Sequence, residues 1–304
     1  MTGSTPADDA RGVKGRRGGS KPEASEALAS APAAAALLGN SFGLVEAMLG
    51  IVGGFVLTFL AVSVYAALSR HPRQPSQYGE DVVSLFALWT GFVAAAVFAT
   101  RTAARRKLDG RAGGTLRDGT VRDGTVGDRN GRPGTGSVAR DYGLALRPWP
   151  DVPLGIAVGV ASQYLLVPVA EAPLVPFVHH LYSRLGHPAQ SLTGHAFGPG
   201  LVVLAVLVCV GSPIVEEFFF RGLLLRALLG SFQELGRRLG PGFSIVVTAL
   251  VFALVHFEAL QFLGLAGFGV VLGILAWRTG RLGPSIVAHM AFNTVTIIAI
   301  VVTR

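Results

Sequence analysis

Seven uncharged apolar runs constrain this chain more than any other feature. Ala47–Leu68 has 22 residues, Val82–Thr100 has 19, Val152–Ala170 has 19, Phe243–Phe257 has 15, Ala259–Trp277 has 19 and Pro284–Thr303 has 20. Leu201–Val215 is uncharged up to Glu216-Glu217, and the chain stays mostly apolar through Leu229. A helix needs about 20 apolar residues to cross ~30 Å of hydrocarbon. Only helices and closed barrels satisfy their backbone there, and these runs lack the period-two alternation of barrel strands. The predicted fold is all-α, a polytopic helical membrane protein of about seven transmembrane helices. The range is six to eight, because Phe243–Phe257 is short and Leu174–Leu192 is ambiguous.

Composition agrees. Only 14% of the 304 residues are charged, against about 25% for a soluble domain. Of the 44 charged side chains, 16 fall in residues 101–150 and 14 in the last 154 residues. The formal charge of +8 would suggest nucleic acid in a soluble protein. Here the basic residues lie between apolar runs, as in cytoplasmic loops, so no nucleic-acid partner is expected. The single cysteine, Cys209, excludes an internal disulfide and a cysteine-based metal cluster. No early apolar segment with a small-residue cleavage site precedes the first run, so no cleaved signal peptide is expected.

Residues 1–40, rich in Ala, Gly, Ser and Pro, read as a disordered tail, although Ala31–Leu38 could extend the first helix. Residues 41–100 hold two spans. Residues 101–150 read as a flexible basic cytoplasmic loop. It carries a direct repeat, Arg117–Val121 then Arg122–Val126, too short to be a solenoid unit. Residues 151–304 form the remaining core. With the amino terminus inside, one side of the bundle collects 22 of the 26 basic residues, leaving Arg70, Arg73, Arg184 and Arg304 on the other. The positive-inside rule then places the amino terminus in the cytoplasm and the carboxyl terminus outside. The expected location is a multi-pass position in a bacterial cell membrane.

Ionisable groups inside apolar helices cost roughly 2.5–3.5 kcal/mol each, which makes them functional candidates. In Glu216-Glu217-Phe218-Phe219-Phe220-Arg221, Glu217 and Arg221 stand i,i+4 with the acid first, the favourable order for an ion pair. Glu216 points about 100° away and has no such partner, which suits a general base. Pro213 can bend this helix. Phe252 and His256 are i,i+4 on another helix, and His289 and Asn293 are one turn apart on the last. Each set alone also reads as packing: ion pairs holding a bundle, a hydrogen-bonded histidine, a polar contact between helices. Together they offer a base, a second polar group for water and oxyanion donors.

These motifs, Glu-Glu-x-x-x-Arg, Phe-x-x-x-His and His-x-x-x-Asn in this order, resemble the CAAX prenyl protease and bacteriocin-processing (CPBP, or Abi) family. Arg221-Gly222, Gly273-Ile274-Leu275, Thr279-Gly280, Leu282 and Ile286-x-x-His289 agree, and the resemblance covers Gly200–Arg304. It implies an intramembrane endopeptidase of the glutamate type, acting on a peptide or protein at the membrane. Glu216 would activate water with help from His256. His289 and Asn293 would stabilise the oxyanion, and Glu217, Arg221 and Phe252 would order the site or contact substrate. No cofactor is expected. The alternative is zinc, a metal also described for the family, on Glu216, His256 and His289.

Rival proteases lack their residues. No Asp follows Asp151, and neither His-Glu-x-x-His nor Gly-x-Ser-Gly occurs. Cys209 lies ~10 Å along the helix from Glu216 and reads as a packing residue. His179, His180, His187 and His195 read as loop residues, with metal binding as the alternative. Two other functional classes stay open: a non-proteolytic immunity or scaffold protein of the same fold, and a proton-coupled transporter. Missing symmetry between halves counts against the transporter.

Overall fold

A computed structural model describes residues 43–69, 76–114, 137–232 and 235–302. They are helical without a strand, and all belong to one compact unit. Six helices are long and apolar enough to cross a membrane. They are α1 (Leu44–Leu68), α2 (Gln77–Gly114, apolar over Gln77–Arg105), α3 (Pro148–Leu174), α4 (Pro199–Ser231), α6 (Phe262–Thr279) and α7 (Gly283–Val302). The helix between α4 and α6, α5 (Gly236–Leu254), is shorter in its apolar part, Leu239–Leu254. The chain is an integral multi-pass membrane protein whose helices follow the seven apolar runs. The ambiguous stretch Leu174–Leu192 does not span; it contributes the short helices Leu181–Leu185 and His187–Gly194.

Lipid tails are as apolar as leucine, so helices in a bilayer associate through close packing at small residues. The antiparallel pair α1/α2 does this at Gly54 and Gly91, whose backbones touch and leave no room for a Cβ on Gly91. Gly155 and Gly159 of α3 likewise lie against Val287, Ala288 and Ala291 of α7, in parallel register. Between α5 and α6, Gly269 faces Ala249 and Gly273 faces Ile245, an antiparallel pairing.

Helix α4 runs through the middle. Phe219 stacks on Phe92 of α2 at 4.2 Å between ring centroids, Phe220 meets Phe252 of α5 at 5.2 Å, and Phe232 meets Phe243 at 4.8 Å. Every side chain from Glu217 through Leu229 is buried. Two π-helical segments, Leu207–Gly211 and Phe218–Leu224, bracket Ser212–Glu217. Such one-turn widenings concentrate at functional sites. Pro213 lies in the α-helical stretch between them, just after the first π-helical segment ends at Gly211.

The segment read as the loop 101–150 is helical at its near end, since α2 continues to Gly114. At its far end, Val138–Asp141 is a helical turn and Tyr142 is fully buried, donating its hydroxyl to the Ala96 carbonyl at 2.6 Å. Burial pushes that phenol up from its usual range. Arg226 Nη1 donates to the Asp141 carbonyl at 2.7 Å, and Asp151 pairs with Arg281 at 2.6 Å. These contacts tie 137–151 to the ends of α2, α4 and α6. The tail 1–40, the repeat Arg117–Val126 and Arg304 lie outside the described residues.

Candidate active site

The three motifs converge. Glu216 and Glu217 leave α4 on different sides, as adjacent helical residues must. Glu217 turns into the protein with no exposure and accepts from Arg221 Nη1 at 2.7 Å and from His289 Nδ1 at 3.0 Å, both on its Oε1. Arg221 is equally buried; its Nη2 donates to the Gly269 carbonyl at 3.1 Å, and its guanidinium lies 4.6 Å from the Phe252 ring centre. Its charge therefore meets a carboxylate, a carbonyl and an aromatic face, while its Nε has no hydrogen-bond partner.

Glu216 turns into a cavity of about 390 Å³. Its Oε2 lies 3.9 Å from His256 Nε2 and 3.8 Å from His289 Nε2. That oxygen is buried and accepts no hydrogen bond from the protein. His256 sits in the turn after α5, where Nδ1 donates to the Phe252 carbonyl at 2.6 Å. A carbonyl only accepts, so Nδ1 carries the hydrogen; the carboxylate of Glu217 imposes the same tautomer on His289. In their neutral forms both imidazoles then present Nε2 lone pairs toward Glu216. Three acceptors face one point, a geometry that suits a small donor such as water.

Asn293 lines the same cavity, and its Nδ2 donates to the Val208 carbonyl at 2.9 Å. The π-helical turn explains the bond. The Ser212 N–H reaches back to Leu207 rather than to Val208, which frees the Val208 carbonyl for the amide. Phe252 touches His256, His289 and Phe220 in edge-on contacts, and Phe268 packs edge-on to His289. Apolar side chains such as Phe55, Leu88, Phe92, Leu265 and Phe292 make most of the remaining wall.

Among the described residues no group of three His, Cys, Asp or Glu side chains is arranged to hold a metal ion. Glu216 Oε2 and the Nε2 atoms of His256 and His289 are the set that the zinc alternative would use. Ligands at ~2.0–2.1 Å from a tetrahedral zinc stand about 3.3 Å apart, and these atoms stand 3.8 and 3.9 Å apart. His179, His180, His187 and His195 lie on the short helices and turns between α3 and α4. Cys209 is half-buried in the first π-helical segment.

Glu171, near the end of α3, was not among the sequence candidates. It is 1% exposed, with one carboxyl oxygen unpartnered, and it lines a side cavity of about 100 Å³. Leu185, Gln261, Leu265, Phe292 and Thr296 are shared by the two cavities. A signal existed: Glu171 is the acid that ends the third apolar run, an intramembrane carboxyl by the argument already applied to Glu216.

The fold and this site define a class: a helical membrane protein with a buried glutamate–histidine centre assembled from α4, α5 and α7. Residues 198–295 match the model of the family described as type II CAAX prenyl endopeptidase, Rce1-like. This is the family that the three motifs resemble, and the matched segment contains all seven motif residues. No curated protein and no solved structure matches the chain.

Proposed function

We propose that the protein is an intramembrane endopeptidase that hydrolyses a peptide bond of a membrane-associated protein or peptide without a metal. The observation that carries this reading is the convergence of Glu216 Oε2 with two imidazole Nε2 atoms inside an apolar cavity. A water among these acceptors donates one hydrogen to Glu216 and the other to an imidazole, so its lone pairs turn toward a bound carbonyl carbon. Glu216 takes the proton as the O–C bond forms, and a tetrahedral oxyanion results. Glu216 then passes that proton to the leaving nitrogen as the C–N bond breaks. The products are one new carboxyl and one new amino terminus.

The oxyanion needs donors. One N–H of Asn293 is engaged by Val208, and the amide's second N–H is free to serve. His289 donates from Nε2 only when both ring nitrogens carry hydrogen, and its Nδ1 is held by Glu217. In this reading Glu217 and Arg221 position His289 without touching substrate. The match to an endopeptidase family over 198–295 supports the reading. The test is cleavage of a peptide library by purified protein in detergent, wild type against Glu216→Gln. Cleavage by the wild type alone supports it; no cleavage by folded wild type, or equal cleavage by both, overturns it.

A further inference from the structure

The active-site cavity has a defined end. Its wall includes Leu185, Pro188 and Ala189 from the short helices between α3 and α4, and Glu258 and Gln261 from the turn between α5 and α6. These segments lie at the same end of the bundle. Tyr78, at the start of α2, lies beside Gly200 at the start of α4, and Gln261 Nε2 donates to the Leu185 carbonyl at 2.6 Å. The end of α1 is there too, since Tyr65 bonds Ser76.

The opposite end is built from other segments. There Arg226 meets Asp141, Arg281 meets Asp151, and the Leu282 N–H bonds the Gly143 carbonyl. The two ends differ sharply in charge. Apart from the buried Arg221 and Arg226, the sequence assigns 20 Lys and Arg to the segments that join at the second end, and four to those at the first. By the positive-inside rule the basic end is cytoplasmic.

We infer that the active site takes its substrate from the non-cytoplasmic face of the membrane. This rests on the proteolytic reading above and adds the substrate class: an apolar, extended segment of a polypeptide exposed on, or anchored in, the outer leaflet. Glu216 Oε2 stands 3.9 Å from His256 Nε2, and His256 lies two residues before Glu258 of the turn that lines this end of the cavity. The apolar wall selects side chains that leave water readily. Polypeptides that carry their recognition element on the cytoplasmic side meet the wrong end.

Orientation is tested without any activity. In a Cys209→Ser background, Gln190→Cys marks the cavity end and Arg140→Cys the basic end; both positions are exposed. Bacterial cells expressing the full chain are treated with a membrane-impermeant maleimide, intact and after permeabilisation. The expected result is labelling of Gln190→Cys in intact cells and of Arg140→Cys only after permeabilisation. The reverse pattern, or equal labelling of both in intact cells, overturns the inference and leaves the hydrolytic reading standing. The second arm adds an impermeant apolar peptide library to sealed vesicles of either orientation. Cleavage is expected in right-side-out vesicles alone, and cleavage confined to inside-out vesicles refutes the inference. If detergent-solubilised protein cleaves nothing while the labelling pattern holds, it is the hydrolytic reading that fails.

Discussion

His256 and His289, 33 residues apart in the chain, approach the same oxygen of Glu216 at 3.9 and 3.8 Å. Each is held from behind by its Nδ1, one on a backbone carbonyl and the other on Glu217. The two acids of the pair thus have opposite surroundings: Glu216 faces the cavity, and Glu217 faces the buried Arg221 and His289. Replacing Glu216 by Gln keeps the shape and removes the base, so hydrolysis should fall by at least ~10². Glu217→Gln should leave measurable turnover and act mainly through stability. Kinetics of both variants on one cleavable peptide decide this; a fully active Glu216→Gln beside a dead Glu217→Gln would reverse the roles.

The buried pair invites a double-mutant cycle. Arg221→Met strands Glu217 with only His289 to compensate its charge, and breaking a buried pair costs about 3–5 kcal/mol. The double variant Glu217→Gln/Arg221→Met leaves no uncompensated charge and should recover part of that loss. Unfolding in detergent, followed for the wild type, both single variants and the double, measures the coupling. Strict additivity would show that the two side chains do not interact.

Metal dependence is the sharpest chemical question. The 3.8 and 3.9 Å separations argue against zinc as the side chains stand, whereas the Nδ1 bonds would hold the imidazoles just as well as ligands. We expect elemental analysis of active protein to find no stoichiometric zinc, and activity to survive prolonged chelation. Stoichiometric zinc, with activity lost to the chelator and restored by zinc alone, would recast both histidines as ligands.

The packing of α1 on α2 depends on the touching backbones of Gly54 and Gly91. A Gly54→Leu side chain would meet Leu88 and Phe92 and force the helices apart, at about 1–3 kcal/mol of overpacking. Phe92 stacks on Phe219, so the displacement reaches α4. Lower thermal stability is expected, together with reduced turnover. An unchanged melting temperature would show that α1 is not needed to brace the site.

Apolar runs and i,i+4 pairs were readable in the sequence because both depend only on spacing. The runs located every long helix, and Glu216, Glu217, Arg221, Phe252, His256, His289 and Asn293 prove to be neighbours. Features that depend on tertiary partners were not readable. Residues 101–114 look like loop because they are basic, yet they prolong α2. Tyr142 and Asp151 lie in or beside the segment read as loop, and partners distant in the chain, Ala96 and Phe218 for the one and Arg281 for the other, help to bury them. The π-helical turns leave no trace in composition, and with them the reason that Asn293 bonds Val208 stays hidden.

Those two turns have one more consequence. Each accommodates about one residue more than an α-helix would, and each extra residue rotates everything after it by ~100°. Across 207–224 the phase of α4 therefore slips by about half a revolution, so side chains that a straight helix would align emerge on opposite flanks. The helix works as a rotary adapter: its upper part turns Glu216 toward the cavity, and its lower part delivers Arg226 to the segment around Asp141. Deleting a single residue at either turn would leave every motif letter in place and still aim it at the wrong neighbour.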